Sequence, residues 1–369
     1  MHVKIKRDVD IFAETREMLI LLVKRTNIKE LEKVLKGLGL KEETFLPVLQ
    51  VREHILKTAA KKFEKKMDLL QEYYTPMRLG DDSVHVLADF VFGVAKGEAE
   101  VSLKKRREEL EHVTEEWRVW EILKMLDEEE TEQYSYAKMV SVLAESELTE
   151  EKKWKVVQVA TNPKEHLEKI YPLLEESAQI FLSYQQEWQP FLERMIENWS
   201  NYLEEEKIET IMQKYFNVDV LDNPQGVMLV PEIMECNTIA YHFGKVDING
   251  VKERDVFRLG YFFSTMENVA ILTNPRGRES DEKEYLIQAL KCLADKSKLE
   301  ILLALRKKRM YGSELAEMLH LTTATVSHHM NTLIVLKLVF VEKEENKSYY
   351  RVNQRELEKV LELMKELLL

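Results

Sequence analysis

The sequence predicts a mainly α-helical protein: a helical N-terminal domain with a small antiparallel sheet, followed by a separate C-terminal α+β domain. Three patterns predict it. Residues 1–205 repeat apolar side chains every three or four positions, the helical period. Residues 225–273 carry short β-prone runs and an Asn-Gly turn. Residues 283–369 read as helix, helix, two short helices in tandem, then a hairpin. At 369 residues the chain exceeds one ordinary core, so two or three domains are expected. The divisions fall at a helical domain 1–205, a strand-rich part 206–273 packed on it, a polar linker 274–282 and a C-terminal domain 283–369.

Taken in order, Asp10 to Lys24 is amphipathic. Asn27 suits the cap of a helix ending at Gly37 or Gly39, where glycine takes the left-handed end without a Cβ clash. A long helix is expected from Thr44, with Pro47 in its first turn, to Tyr74, then a loop from Thr75 to Asp82. Ser83 opens the next helix, and a charged one runs from about Glu98 to Glu129. On it Lys104 to Arg107 could meet nucleic acid, but Glu108, Glu109 and Glu111 follow directly and favour a solvated face. Asn162, Pro163 and Glu165 combine a cap, a first-turn proline and a capping-box acid.

Phe181, Tyr184, Trp188, Phe191, Met195, Trp199 and Tyr202 recur at spacings of three or four, and Pro190 among them should kink the helix. Such a stripe is ordinarily core. Its functional reading makes Phe181, Tyr184, Trp188, Phe191 and Trp199 one wall of a candidate effector pocket. Further on, Gly226–Pro231, Thr238–Phe243 and Val256–Phe263 are β-prone, and Asn249-Gly250 is the best short hairpin signal in the chain.

The C-terminal domain is organised around Leu315 to Ile334. Ser313 and Thr322 suit the caps of two helices joined by a tight turn. In the second helix Val326, Met330 and Leu333 fall at i, i+4 and i+7 and make one buried stripe. Thr323, Ser327, His328 and Asn331 are left opposite it. A helix with short donors and acceptors on one face suits the floor of a DNA major groove, although an ordinary surface helix could look the same. Ala289 to Leu305 supplies two preceding helices broken near Asp295, the second capped by Ser297. Leu338 to Lys343 and Ser348 to Val352 form a hairpin around Glu344 to Lys347. That order is a winged helix-turn-helix.

On Leu293 to Leu302, Leu315 to Leu319, Thr325 to Met330 and Ser348 to Val352, the domain resembles the ArsR family of bacterial winged-helix regulators. The family usually has glycine at the end of the recognition helix, where this chain has Lys337. The resemblance implies that Thr323, Thr325, Ser327, His328 and Asn331 address DNA, with His329, on the flank of the buried stripe, either structural or in touch with phosphate. Ser313, Lys343, Lys347, Tyr350 and Arg351 would meet the phosphates. It also implies a homodimer through the first and last helices, on an imperfect inverted repeat. Leu357, Val360, Leu361, Met364 and Leu368 form the apolar face of the last helix; packing on the chain's own N-terminal domain is the alternative. The family's metal-binding cysteines and terminal histidines have no counterpart: Tyr311 to Leu319 holds no Cys, and no His follows His329.

Composition narrows the function. Net charge is −12, yet residues 281–369 carry 15 Lys/Arg against 14 Asp/Glu, which leaves −13 for the rest. A domain at +1 has a weak electrostatic footprint for DNA, so reliance on a dimer is expected. Arg306 to Arg309 could meet phosphates or simply complement a helix C-terminus. No apolar run approaches a membrane span, the first residues lack a signal-peptide core, and Cys236 and Cys292 form no framework, all of which suits a reducing cytoplasm. There is no Gly-rich phosphate loop, Cys-x-x-Cys or His-Glu-x-x-His, so neither catalytic nor metal residues nor a cofactor are expected. His112 with Glu115 and Glu116 has ligand spacing, an ordinary accident on so acidic a helix. The expectation is a regulator whose N-terminal domain senses a small molecule or partner. An enzyme carrying its own DNA-binding module, or an interaction protein whose wing no longer binds DNA, are the alternatives.

Overall fold

The computed structural model describes residues 2–26, 28–79, 83–92, 102–126, 135–146, 148–216, 225–242, 254–273, 279–344 and 347–368. The chain divides into two compact units, 2–201 with 225–265 and 202–224 with 266–369. The strands therefore group with the first 201 residues, whereas 202–224 and 266–273 group with the C-terminal domain. Residues 274–278 lie outside the described residues, and 279–282, expected as linker, already begin a helix.

The larger unit holds α1 (Ile11–Lys24), α2 (Ile28–Gly37), α3 (Glu42–Lys62), α4 (Met67–Tyr74), α5 (Leu87–Phe92), α6 (Leu103–His112), α7 (Glu115–Met125), α8 (Tyr136–Glu145), α9 (Glu150–Thr161), α10 (Pro163–Ser183) and most of α11 (Gln185–Glu205). Several expected elements are corrected. The helix foreseen to Tyr74 breaks at Phe63, and a 3-10 turn at Glu64–Lys66 leads into α4. The loop at Thr75 and the helix foreseen at Ser83 are instead a hairpin, β2 (Met77–Leu79) with β3 (Ser83–His85). The charged helix is two, because Thr114 Oγ1 accepts the Trp117 N–H at 3.1 Å and restarts the chain as α7. The aromatic run is broken at Tyr184, between α10 and α11, six residues before Pro190, which sits inside α11.

The sheet is mixed, not antiparallel. Its order is β1-β4-β6-β5, from β1 (Val3–Ile5), β4 (Val227–Glu232), β5 (Ile239–His242) and β6 (Asp255–Gly260). β1 and β6 lie parallel to β4, and only β5 runs antiparallel to β6. Val227 to Val230 are all buried, an unbroken apolar run that fits a strand covered on both faces. Gly226, at φ +75°, lets β1 approach: a Cβ there would lie 2.2 Å from the His2 carbonyl oxygen. Asn249-Gly250 falls outside the described residues.

Buried charge is unusually concentrated around α1. Arg16 holds Asp89 through two bonds of 2.6 Å, and Arg258 joins Asp10 at 2.7 Å to Glu232 at 2.8 Å. Burial pushes the Asp89 carboxyl up, but the Arg16 guanidinium outweighs it and holds Asp89 well below the usual range. Burial raises Glu14 and Glu17, aided by Glu232 at Glu14 and by Glu235 at Glu17. A carboxyl whose folded pKa is raised contributes stability below its unfolded pKa and loses it as pH rises through the folded value. Asp89 does the reverse, losing its contribution as pH falls. The unit is therefore expected to be most stable in mildly acidic buffer, with urea midpoints falling from pH 6 to pH 9 at constant salt. A midpoint that climbs over that range would contradict this assignment.

Candidate nucleic-acid interface

The smaller unit contains α12 (Ile208–Ile211), α13 (Met266–Thr273), α14 (Glu279–Ala294), α15 (Lys296–Lys307), α16 (Gly312–Leu319), α17 (Thr323–Val335) and α18 (Gln354–Leu368). A three-stranded sheet of order β7-β9-β8 joins β7 (Met310–Tyr311), β9 (Lys347–Val352) and β8 (Val339–Glu344). α15 is capped by Asp295, whose Oδ1 accepts the Lys298 N–H at 3.0 Å, not by Ser297. Nor does Ser313 cap α16. Glu314 accepts the Tyr311 N–H at 3.1 Å, and Ser313 is exposed inside the first turn.

α16 ends on His320 at φ 54°, with the Leu321 N–H returned to Ala316 O at 3.0 Å. This left-handed residue turns the chain tightly into α17, which starts where Thr322 Oγ1 accepts the Thr325 N–H at 3.1 Å. Val326, Met330 and Leu333 are buried in one core with Ile301, Leu305 and Leu315. That packing fixes the rotation of α17. Thr323 and His328 are exposed, while Ser327 and Asn331 are half-buried. Thr325 is also half-buried and its hydroxyl meets Thr322 Oγ1 at 2.8 Å, so it serves the cap. His329 sits at the flank with Nδ1 enclosed and unpartnered among the described residues, and burial lowers its pKa.

α17 closes with Lys337 at φ 57°. The Leu338 N–H donates to Leu333 O at 2.9 Å and the Lys337 N–H to Ile334 O at 2.8 Å, a Schellman arrangement built on a non-glycine residue. Lys337→Gly is expected to raise the domain's stability by about 1 kcal/mol, because the left-handed strain disappears. Chemical denaturation of the variant checks this, and an unchanged or lower stability would refute it. Buried Asn353 secures the same corner, donating from Nδ2 to Lys337 O at 2.9 Å and accepting the Glu356 N–H at the start of α18.

In the wing, Arg351 lies opposite Phe340 and its guanidinium covers that ring at 4.4 Å. Tyr350 packs against the domain core, so its ring supports the wing. The side chains of Lys343 and Lys347 lie outside the described residues. Sequence reasoning missed Tyr349, whose ring carries the Arg309 guanidinium at 4.7 Å and so joins the basic end of α15 to the wing. Arg306 to Arg309 are all exposed.

Residues 295–339 match the family model described as bacterial regulatory protein, arsR family. Over 73 residues the chain is 36% identical to the arsenical resistance operon repressor of Staphylococcus aureus, covering 70% of that protein and 20% of this one. The chain belongs to the arsR family. A second arsR-type relative, the arsenical resistance operon repressor of Staphylococcus xylosus, is 38% identical over 69 residues, 66% of its length and 19% of this chain. The crystal structure of NolR from Sinorhizobium fredii aligns at 26% identity and a TM-score of 0.21, over 24% of this chain and 90% of that one. The residues that match the arsR model lie in the C-terminal unit, and the chain is a regulatory protein through them.

The apolar residues of α18 are divided between the domain's own core and its surface. Val360 and Leu363 are buried in the domain's own core, beside half-buried Leu357 and Met364, while Leu361 is 58% exposed. The side chain of Leu368 lies outside the described residues. Tyr285 Oη on α14 donates to Glu356 at 3.0 Å and ties the two helices together.

The effector wall also changes character. Trp188 stacks on Phe181 with centroids 5.0 Å apart and donates its indole N–H to Phe181 O at 3.0 Å. Trp199 donates to Phe263 O at 3.0 Å, and Phe191 meets Tyr261 edge-on. Tyr184 pairs with Thr58 at 2.6 Å. These are core contacts. A cleft of about 620 Å³ does border α11, but its lining there is Ile196 and Ser200. No described helix is long and apolar enough to cross a membrane.

Proposed function

We propose that the protein is a transcriptional repressor that binds double-stranded DNA as a homodimer on an imperfect inverted repeat. Its larger unit senses a non-metal effector. The observation that carries the reading is the rotation of α17: its apolar stripe is locked into the core, so Thr323, Ser327 and His328 face away from it. Two such helices, related by a two-fold axis, would address half-sites about 34 Å apart. Arg309 and Arg351, held on rings of the wing, would supply cations for the phosphates. The effector would act by favouring a state in which the two helices no longer match that spacing.

Fluorescence anisotropy on promoter and random duplexes tests it. His328→Ala is expected to cost about 1–3 kcal/mol on the specific duplex and little on random DNA, because a base contact is lost. Lys347→Ala should weaken both alike and flatten the salt dependence by about one phosphate contact. Identical behaviour of the two variants on both duplexes would remove His328 from base recognition.

A further inference from the structure

Two buried arginines of the larger unit hold carboxylates directly, Arg16 with Asp89 and Arg258 with Asp10 and Glu232. Arg52 on α3 is different. It is 1% exposed, and Nη1 reaches only neutral acceptors: Cys236 Sγ at 3.2 Å, Met234 O at 3.4 Å and Asn237 Oδ1 at 3.5 Å. Nε and Nη2 are enclosed with no hydrogen-bond partner among the described residues. Two of the acids near this corner are engaged elsewhere, and Glu235, which acts on the Cys236 thiol, makes no bond to Arg52 among the described residues. Glu14 accepts the N–H groups of Ile233 and Met234 at 2.8 and 2.7 Å, and Glu232 is held by Arg258. A buried guanidinium with two enclosed N–H groups unbonded and no carboxylate in direct contact is an unfavourable arrangement in a protein interior.

We propose that the unpartnered edge of Arg52, beside Cys236 and Asn237, binds a small ligand bearing one carboxylate and a short apolar body. The Nε–H and Nη2–H bonds on that edge run parallel at the spacing of two carboxylate oxygens, the side-on fork of an Arg–carboxylate pair. One unmatched positive charge calls for one negative charge. Glu14 and Glu235 both act on the neighbouring Cys236 thiol, so a dianion such as phosphate would meet added repulsion. The apolar body follows from Phe45 and Phe262, which meet edge-on at 6.2 Å; the Phe262 N–H donates to Cys236 O at 2.8 Å and brings that pair to the site.

The segment Ile233 to Thr238 covers the guanidinium. Its end is fixed where the Gly260 N–H donates to Thr238 O at 2.9 Å, and its middle lies so close that a Cβ on Gly260 would fall 2.4 Å from Glu235 O. Entry therefore requires this segment to lift, which makes occupancy a conformational signal in the larger unit. The site deepens the effector-sensing half of the function proposed above and rests on that reading only for its regulatory consequence.

Scanning calorimetry on the full chain tests it, with sodium acetate, butyrate and benzoate against sodium chloride and phosphate at equal ionic strength. At least one carboxylate should raise the melting temperature by roughly 5 °C at saturation, and the two inorganic anions should not. Arg52→Lys keeps the charge but loses the fork, and Arg52→Met removes both; each should abolish the shift. No carboxylate shift, an equal shift with phosphate, or an equal shift in Arg52→Met overturns the site. DNA binding is read separately by anisotropy. A missing carboxylate shift with intact DNA binding overturns the site alone; a carboxylate shift in a protein that binds no DNA supports the site and overturns the regulator.

Discussion

Glu14→Ala is expected to destabilise the larger unit by about 4 kcal/mol, since two enclosed backbone donors each lose their acceptor. Glu14 is nearly inaccessible on α1, and its two oxygens take the N–H groups of Ile233 and Met234 as the chain leaves β4. Among the described residues no strand partner serves those N–H groups in its place, so removing the carboxyl leaves two buried orphans. Glu14→Gln keeps one acceptor and turns an amine toward the other donor, and about half the loss is expected. Urea denaturation followed by tryptophan fluorescence measures both variants. If either lies within about 0.5 kcal/mol of the parent, a typical surface effect, the two bonds do not anchor this corner.

The C-terminal domain was legible because its information is local. The stripe Val326–Met330–Leu333, the cap Thr322 and the hairpin all lie within one or two turns of chain, and the structure places each as the spacing requires. The caps at Ser297 and Ser313 were misplaced because several polar residues cluster at each helix start, and only backbone geometry chooses among them. Asp295 and Glu314 win by reaching N–H groups three residues away in sequence. In the larger unit the deciding partners are remote. β1 pairs with β4 across more than two hundred residues, and a three-residue strand carries no periodicity of its own. Asp10 to Lys24 reads as an amphipathic helix, yet its Glu14 and Glu17 are buried and Arg16 is locked to Asp89. Arg52, whose Nε and Nη2 lack a hydrogen-bond partner among the described residues, is invisible to any pattern, because what marks it is set by remote neighbours in three dimensions.

Leu361→Glu is expected to weaken binding to a two-half-site duplex by roughly 100-fold or more, while leaving single half-site binding unchanged. The argument starts from α18, where Leu357, Leu361 and Met364 follow at i, i+4 and i+7. Leu357 and Met364 are half covered by the domain core and Leu361 stands outside it, so this flank is the one the proposed dimer would use. A carboxylate at Leu361 would enter an apolar contact without a partner in the proposed two-fold dimer, which is unfavourable there and harmless on a free monomer. Val360 separates the two effects. It is buried in the domain's own core, so Val360→Ala should lower the melting temperature whether or not the protein dimerises. Once the subunits part, each recognition helix binds alone, and the gain from the second half-site is lost. Sedimentation velocity and anisotropy on the same preparation decide it. A Leu361→Glu protein that still sediments as a dimer, or a monomer that holds the full operator as tightly as the parent, would overturn the role given to α18.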